Sequence, residues 1–85
     1  MKTAQLIEAV SAATNCPIGR VEVFVASRFG YYFREDVQRD GLDQTVADWK
    51  ASRPSRAHRR RYGLAAGVDM LTAQVTAAWH ERTSR

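Results

Sequence analysis

Leu6, Ile7, Val10 and Ala13 recur at three- and four-residue spacing, which puts them on one face of a helix over about residues 4–14. Thr3 is a suitable N-cap for it, and Thr14-Asn15 marks its end. Pro17 then fits the first turn of a second helix, where its missing N–H is harmless. Ile18, Val21, Phe24, Val25 and Phe29 make that helix's apolar stripe, and the two helices are expected to pack as a hairpin. A different reading of the same stretch stays open. Val21-Glu22-Val23-Phe24-Val25 is β-branched and alternating, so residues 20–34 also fit a β-hairpin.

Gly30 interrupts the stripe. Tyr31, Tyr32, Phe33 and Val37 predict a short third helix ending near Asp40-Gly41, a turn dipeptide. Asp43 is placed to cap a fourth helix of about 44–52 that buries Val46 and Trp49, with Leu42 beside them. Arg53-Pro54 should stop it, because the residue before proline is pushed out of helical geometry. Ser55 then caps a long last helix whose seam is Leu64, Val68, Leu71, Val75, Ala78 and Trp79, with fraying expected over 80–85. The fold expected is all-α: one domain spanning residues 1–85, a compact bundle of four or five short helices with a long C-terminal helix.

Charge changes the picture most. Lys50, Arg53, Arg56, Arg59, Arg60 and Arg61 fall within twelve positions, and no carboxylate lies between Asp48 and Asp69. The formal net charge is only +4, so the rest of the chain is mildly acidic. Concentrated arginine is how a small protein addresses a polyanion. On a helix starting near Ser55, Arg56, Arg59 and Arg60 share a face, with Arg53 in the turn before it. The candidate phosphate-binding set is therefore Lys50, Arg53, Ser55, Arg56, Arg59, Arg60 and Arg61. The opposing reading is a solvated face paired with Asp36, Asp40, Asp43 and Asp48.

Other chemistry finds little footing. Cys16 is the one cysteine, which excludes an intramolecular disulfide and a paired-thiol metal site and fits a reducing cytoplasm. His58 sits among arginines that would depress its pKa, and no nucleophile–base–orienter set surrounds it. His58, His80 and Cys16 show no zinc-ligand spacing, and Gly63 and Gly67 belong to no phosphate-cradling loop. The expectation is a non-enzymatic protein without cofactor or metal. Neither a signal peptide nor a membrane span is expected, since no apolar run is long enough.

Two stretches resemble known families. Met1-Lys2-Thr3-Ala4-Gln5-Leu6-Ile7-Glu8-Ala9-Val10, with Thr14 and the segment from Pro17 to Phe29, resembles the first helical hairpin of the histone-like HU/IHF DNA-binding family. That resemblance covers about a third of the chain and stops at Gly30, so it carries over no DNA-contact residue. Tyr32-Phe33-Arg34, Gly41-Leu42, Val46, Trp49-Lys50 and Ser52, with Tyr62 beyond, are similar to a helical module of uncharacterised bacterial SAP-domain-associated proteins. The second family has no assigned chemistry; taken together, the two resemblances lean towards nucleic-acid association.

The leading expectation is thus a small basic DNA-binding protein of bacterial or phage type, a regulator or a nucleoid-type protein, acting on backbone phosphates. The alternative is an interaction module or inhibitor that grips an acidic protein surface, with Tyr31, Tyr32 and Tyr62 as interface anchors. Leu64, Val68, Leu71, Val75 and Trp79 serve equally well as a homodimer seam or as ordinary core.

Overall fold

The computed structural model describes residues 2–51 and 69–84. They form five helices, α1 (Thr3–Thr14), α2 (Ile18–Val25), α3 (Arg28–Asp40), α4 (Leu42–Lys50) and α5 (Met70–Thr83). No strand occurs among the described residues, so the hairpin reading of 20–34 is overturned. The β-branched residues of α2 serve a helix because Val21 and Phe24 lie three apart on its buried face.

The local chemistry of each helix end explains its boundaries. Lys2, not Thr3, caps α1: its N–H donates to Gln5 Oε1 at 3.2 Å, while Thr3 is already helical. Asn15 closes α1 in the left-handed region at φ 57°. The Thr14 hydroxyl donates to the Val10 carbonyl at 2.7 Å, and the Ser11 hydroxyl donates to the Cys16 carbonyl at 2.7 Å. Pro17 stands one place outside α2, as its N-cap, and its carbonyl accepts from Arg20 and Val21.

The second helix ends sooner than its apolar stripe does. Ser27 donates its hydroxyl to the Phe24 carbonyl at 2.6 Å and accepts the Gly30 N–H at 3.3 Å, which caps α3. The stripe from Val25 to Phe29 therefore crosses a helix break, because both residues still pack on the core from either side of it. Gly30 is buried inside α3 rather than ending a helix. A Cβ there would stand 2.5 Å from the Val25 carbonyl oxygen and closer still to that of Phe24. The close approach of α3 to the end of α2, not a turn, requires this glycine.

Gly41, at φ 91°, ends α3 and also caps α4, where its carbonyl accepts from the Thr45 N–H and, at 2.7 Å, from the Thr45 hydroxyl. Asp43 sits in the first turn of α4 instead of at its cap. The fourth helix ends at Lys50, before the Arg53-Pro54 stop, which lies outside the described residues.

Helix α2 packs most extensively on α5, with α1, α3 and α4 closing the core around them. Phe24, Phe33 and Trp49 meet edge to face, with ring centroids 5.2 to 6.3 Å apart. Leu6, Val10, Val21, Val37, Met70, Leu71 and Val75 fill the space around them. Leu71 and Val75 are wholly buried within the chain, so these two members of the seam belong to the core and not to a dimer interface. Asp69 is non-helical, with ψ 85°, so α5 begins afresh there and does not continue a helix from Ser55.

Candidate nucleic-acid interface

Lys50 is the member of the basic cluster that the structure describes. Arg53, Ser55, Arg56, His58, Arg59, Arg60, Arg61 and Tyr62, with Leu64 and Val68, lie outside the described residues. The flanks of that segment are defined on both sides. Lys50 ends α4 and extends its ammonium to the Ala13 carbonyl at 2.6 Å, in the last turn of α1. Carbonyls there have no intrahelical partner, and a cation suits the negative end of the helix dipole.

The same ammonium lies 3.2 Å from Asp69 Oδ2. Asp69 caps α5, accepting the Thr72 N–H at 3.0 Å and the Thr72 hydroxyl at 2.9 Å. Burial works against its charge, but those two hydrogen bonds and the Lys50 ammonium outweigh burial and hold its carboxyl below the usual aspartate value. Three helix ends thus meet at one ion pair. Asp69 directly before Met70-Leu71, with Thr72 three places on, is a cap signal legible in the sequence but not used in the reading above.

Two of the four aspartates considered as internal partners for the arginines share Arg39. Asp36 is buried and accepts from Trp49 Nε1 at 2.8 Å and from Arg39 at 3.2 Å. Asp40 pairs with the same Arg39, whose hydrogen bond holds its carboxyl below the usual value. Asp48 accepts from Gln44 at 2.8 Å, and Asp43 is exposed. All nine acidic side chains belong to the described residues, where seven cations accompany them.

Of the three consecutive aromatics, Phe33 is core, Tyr32 is half-buried and Tyr31 is 61% exposed. Tyr31 and Tyr32 stand edge to face at 5.9 Å, and Tyr32 continues to Phe29 at 6.4 Å. Trp49 is the core anchor its size led one to expect. Trp79 is not: it is half-buried, and the Arg20 guanidinium lies 5.4 Å from its ring centroid. Gly19, Glu22, Val23 and Arg82 line a shallow hollow beside it. A wider open groove of about 860 Å³ runs between the start of α3 and α5, with Val23, Phe29, Ala77 and Ala78 in its wall and Arg28 and Glu81 also lining it.

Among the described residues, no group of three His, Cys, Asp or Glu side chains is placed to share a metal ion. None of the described helices is long and apolar enough to cross a membrane. Neither a protein-family model, nor a curated protein, nor a solved structure matches this chain.

Proposed function

We propose that this chain is a small, non-enzymatic DNA-binding protein that grips backbone phosphates through Arg53, Arg56, Arg59, Arg60 and Arg61, with Lys50 at the edge of the cluster. One observation carries the reading: the cations are gathered into a carboxylate-free stretch of a chain that is otherwise mildly acidic. Phosphates neutralised by arginine release condensed counterions, so binding is salt-dependent and largely indifferent to sequence. The environment of Asp36 and Asp40 supports it further, since Trp49 and Arg39 already engage these two of the four aspartates weighed as internal partners for the arginines. A free Cys16 fits a reducing cytoplasm.

Fluorescence anisotropy with a random-sequence duplex tests it. Five phosphate contacts correspond to an affinity loss of about 500-fold when salt is raised fourfold from ~50 mM. Absence of binding at ~50 mM salt, or affinity undiminished at the higher concentration, would refute the reading. The exposure of Tyr31 beside Tyr32 favours a second reading, an acidic protein partner held by arginines and anchored by tyrosine. A stoichiometric, nuclease-resistant complex that Tyr31→Ala dissolves is its expected signature.

A further inference from the structure

The charge of Lys50 is already committed within the fold. Its ammonium is 2.6 Å from the Ala13 carbonyl and 3.2 Å from the Asp69 carboxylate. A phosphate would have to displace both, and one of them is an uncapped carbonyl in the last turn of α1. The two charged partners also occupy a particular place in the chain. In sequence, Lys50 stands two positions before residues 52–68, and Asp69 follows them directly. A single ammonium therefore ties residues on either side of that segment to the end of α1.

We infer that Lys50 is a positioning residue, not a sixth phosphate contact: with Asp69 it clamps both ends of the basic segment to the last turn of α1. The inference rests on the DNA-binding reading for its consequence, though not for the clamp itself. Holding the ends of a segment together removes chain arrangements before any ligand arrives. A cost of ordering met before binding no longer weakens the complex. Asp69 contributes through the same ion pair, and its own cap on Thr72 fixes where its carboxylate stands.

Lys50→Met in the full chain tests both parts, because it keeps an apolar stem and removes the ammonium. In the anisotropy assay, affinity for the random duplex should fall two- to fivefold at every salt concentration with the salt slope unchanged. A slope lowered by about 0.9 would make Lys50 a phosphate contact and overturn the inference. Unchanged affinity would overturn it as well.

Limited trypsin digestion of the free protein reads the clamp without DNA. Cleavage after Arg53, Arg56, Arg59, Arg60 and Arg61 should quicken severalfold in Lys50→Met, and also in Asp69→Asn, which keeps a capping side chain on Thr72. Val75→Ala, which loosens the core without touching either charged partner, should leave that cleavage near the wild-type rate. An equal acceleration in Val75→Ala, or none in the two clamp variants, would overturn the inference. Failure of wild type to bind any duplex would instead remove the DNA reading, and digestion would still decide the clamp.

Discussion

Trp49 donates its indole N–H to Asp36 at 2.8 Å, and the two residues retain only 1% and 3% of their accessible surface. The bond joins α4 to α3 at the centre of the molecule, beside Phe24 and Phe33. Arg39, one turn further along α3, reaches the other Asp36 oxygen from the surface at 3.2 Å. The carboxylate is thereby buried with a partner on each side, the condition under which a buried charge is tolerated.

Removing one partner should be worse than changing the charge. Trp49→Phe keeps an aromatic ring but leaves a buried carboxylate oxygen without its donor, at an expected cost of about 2–4 kcal/mol. Asp36→Asn can still accept from the indole and weakens only the link to Arg39, so about 1–2 kcal/mol is expected. Urea unfolding checks the order of the two. A Trp49→Phe loss below that of Asp36→Asn would contradict the account.

Gly30 and Gly19 are both helical and should respond in opposite directions to alanine. Intrinsic propensity alone favours alanine by about 1 kcal/mol at each. At Gly19 nothing lies within 4 Å of the added methyl, so Gly19→Ala should stabilise by about 0.5–1 kcal/mol. At Gly30 the methyl meets the backbone carbonyls of Phe24 and Val25, which cannot turn aside as a side chain would. Gly30→Ala should therefore destabilise, by about 2–3 kcal/mol in the same unfolding assay.

These residues also show where the sequence could be read and where it could not. The first helix was legible because Leu6 and Val10 obey helical spacing and Asn15 tolerates the left-handed turn that ends it. The break at Ser27 was hidden because the apolar stripe runs across it in register, and Gly30 looked like punctuation when it is a contact point. Asp36 resembled a surface acid; its partner Trp49 is on another helix, and spacing within one helix cannot reveal that pairing. The sign and location of the basic segment were plain from the letters. That Lys50 is held by a carbonyl 37 positions away was not.

Leu71 should behave as a core residue and not as a subunit contact. Its side chain is fully buried within one chain, so Leu71→Ala should cost about 2–5 kcal/mol. The loss should be the same at widely different protein concentrations, since a dimer's apparent stability would vary with them. A melting temperature that climbs with concentration would restore the interface reading.

Acid should weaken the fold partly through Asp69. Its carboxyl sits below the usual aspartate value in the folded chain, so its contribution is fully present above its unfolded value, near about 4. That contribution is lost as pH falls through the depressed folded value. The stability gap between wild type and Asp69→Asn, measured by urea unfolding from neutral pH downward, should accordingly shrink on acidification. Asp69 is partly exposed, so the effect is modest. A gap that widens with acid would reverse the sign of the argument.

The arginines themselves can be separated from general charge by how affinity responds to salt. Arg56, Arg59 and Arg60 fall at the spacing of one helix face, so a triple change to alanine should remove three phosphate contacts together. Each contact contributes about 0.9 to the slope of log affinity against log salt, so the slope should drop by roughly 2.7. Arg20, Arg28 and Arg82 form the natural control: they belong to α2, α3 and α5, they carry the same charge, and they stand outside the cluster. Alanine at those three alters net charge by the same amount and should leave most of the slope intact. If both triples flattened the slope equally, the bundle's overall charge and not the segment would be the binding determinant.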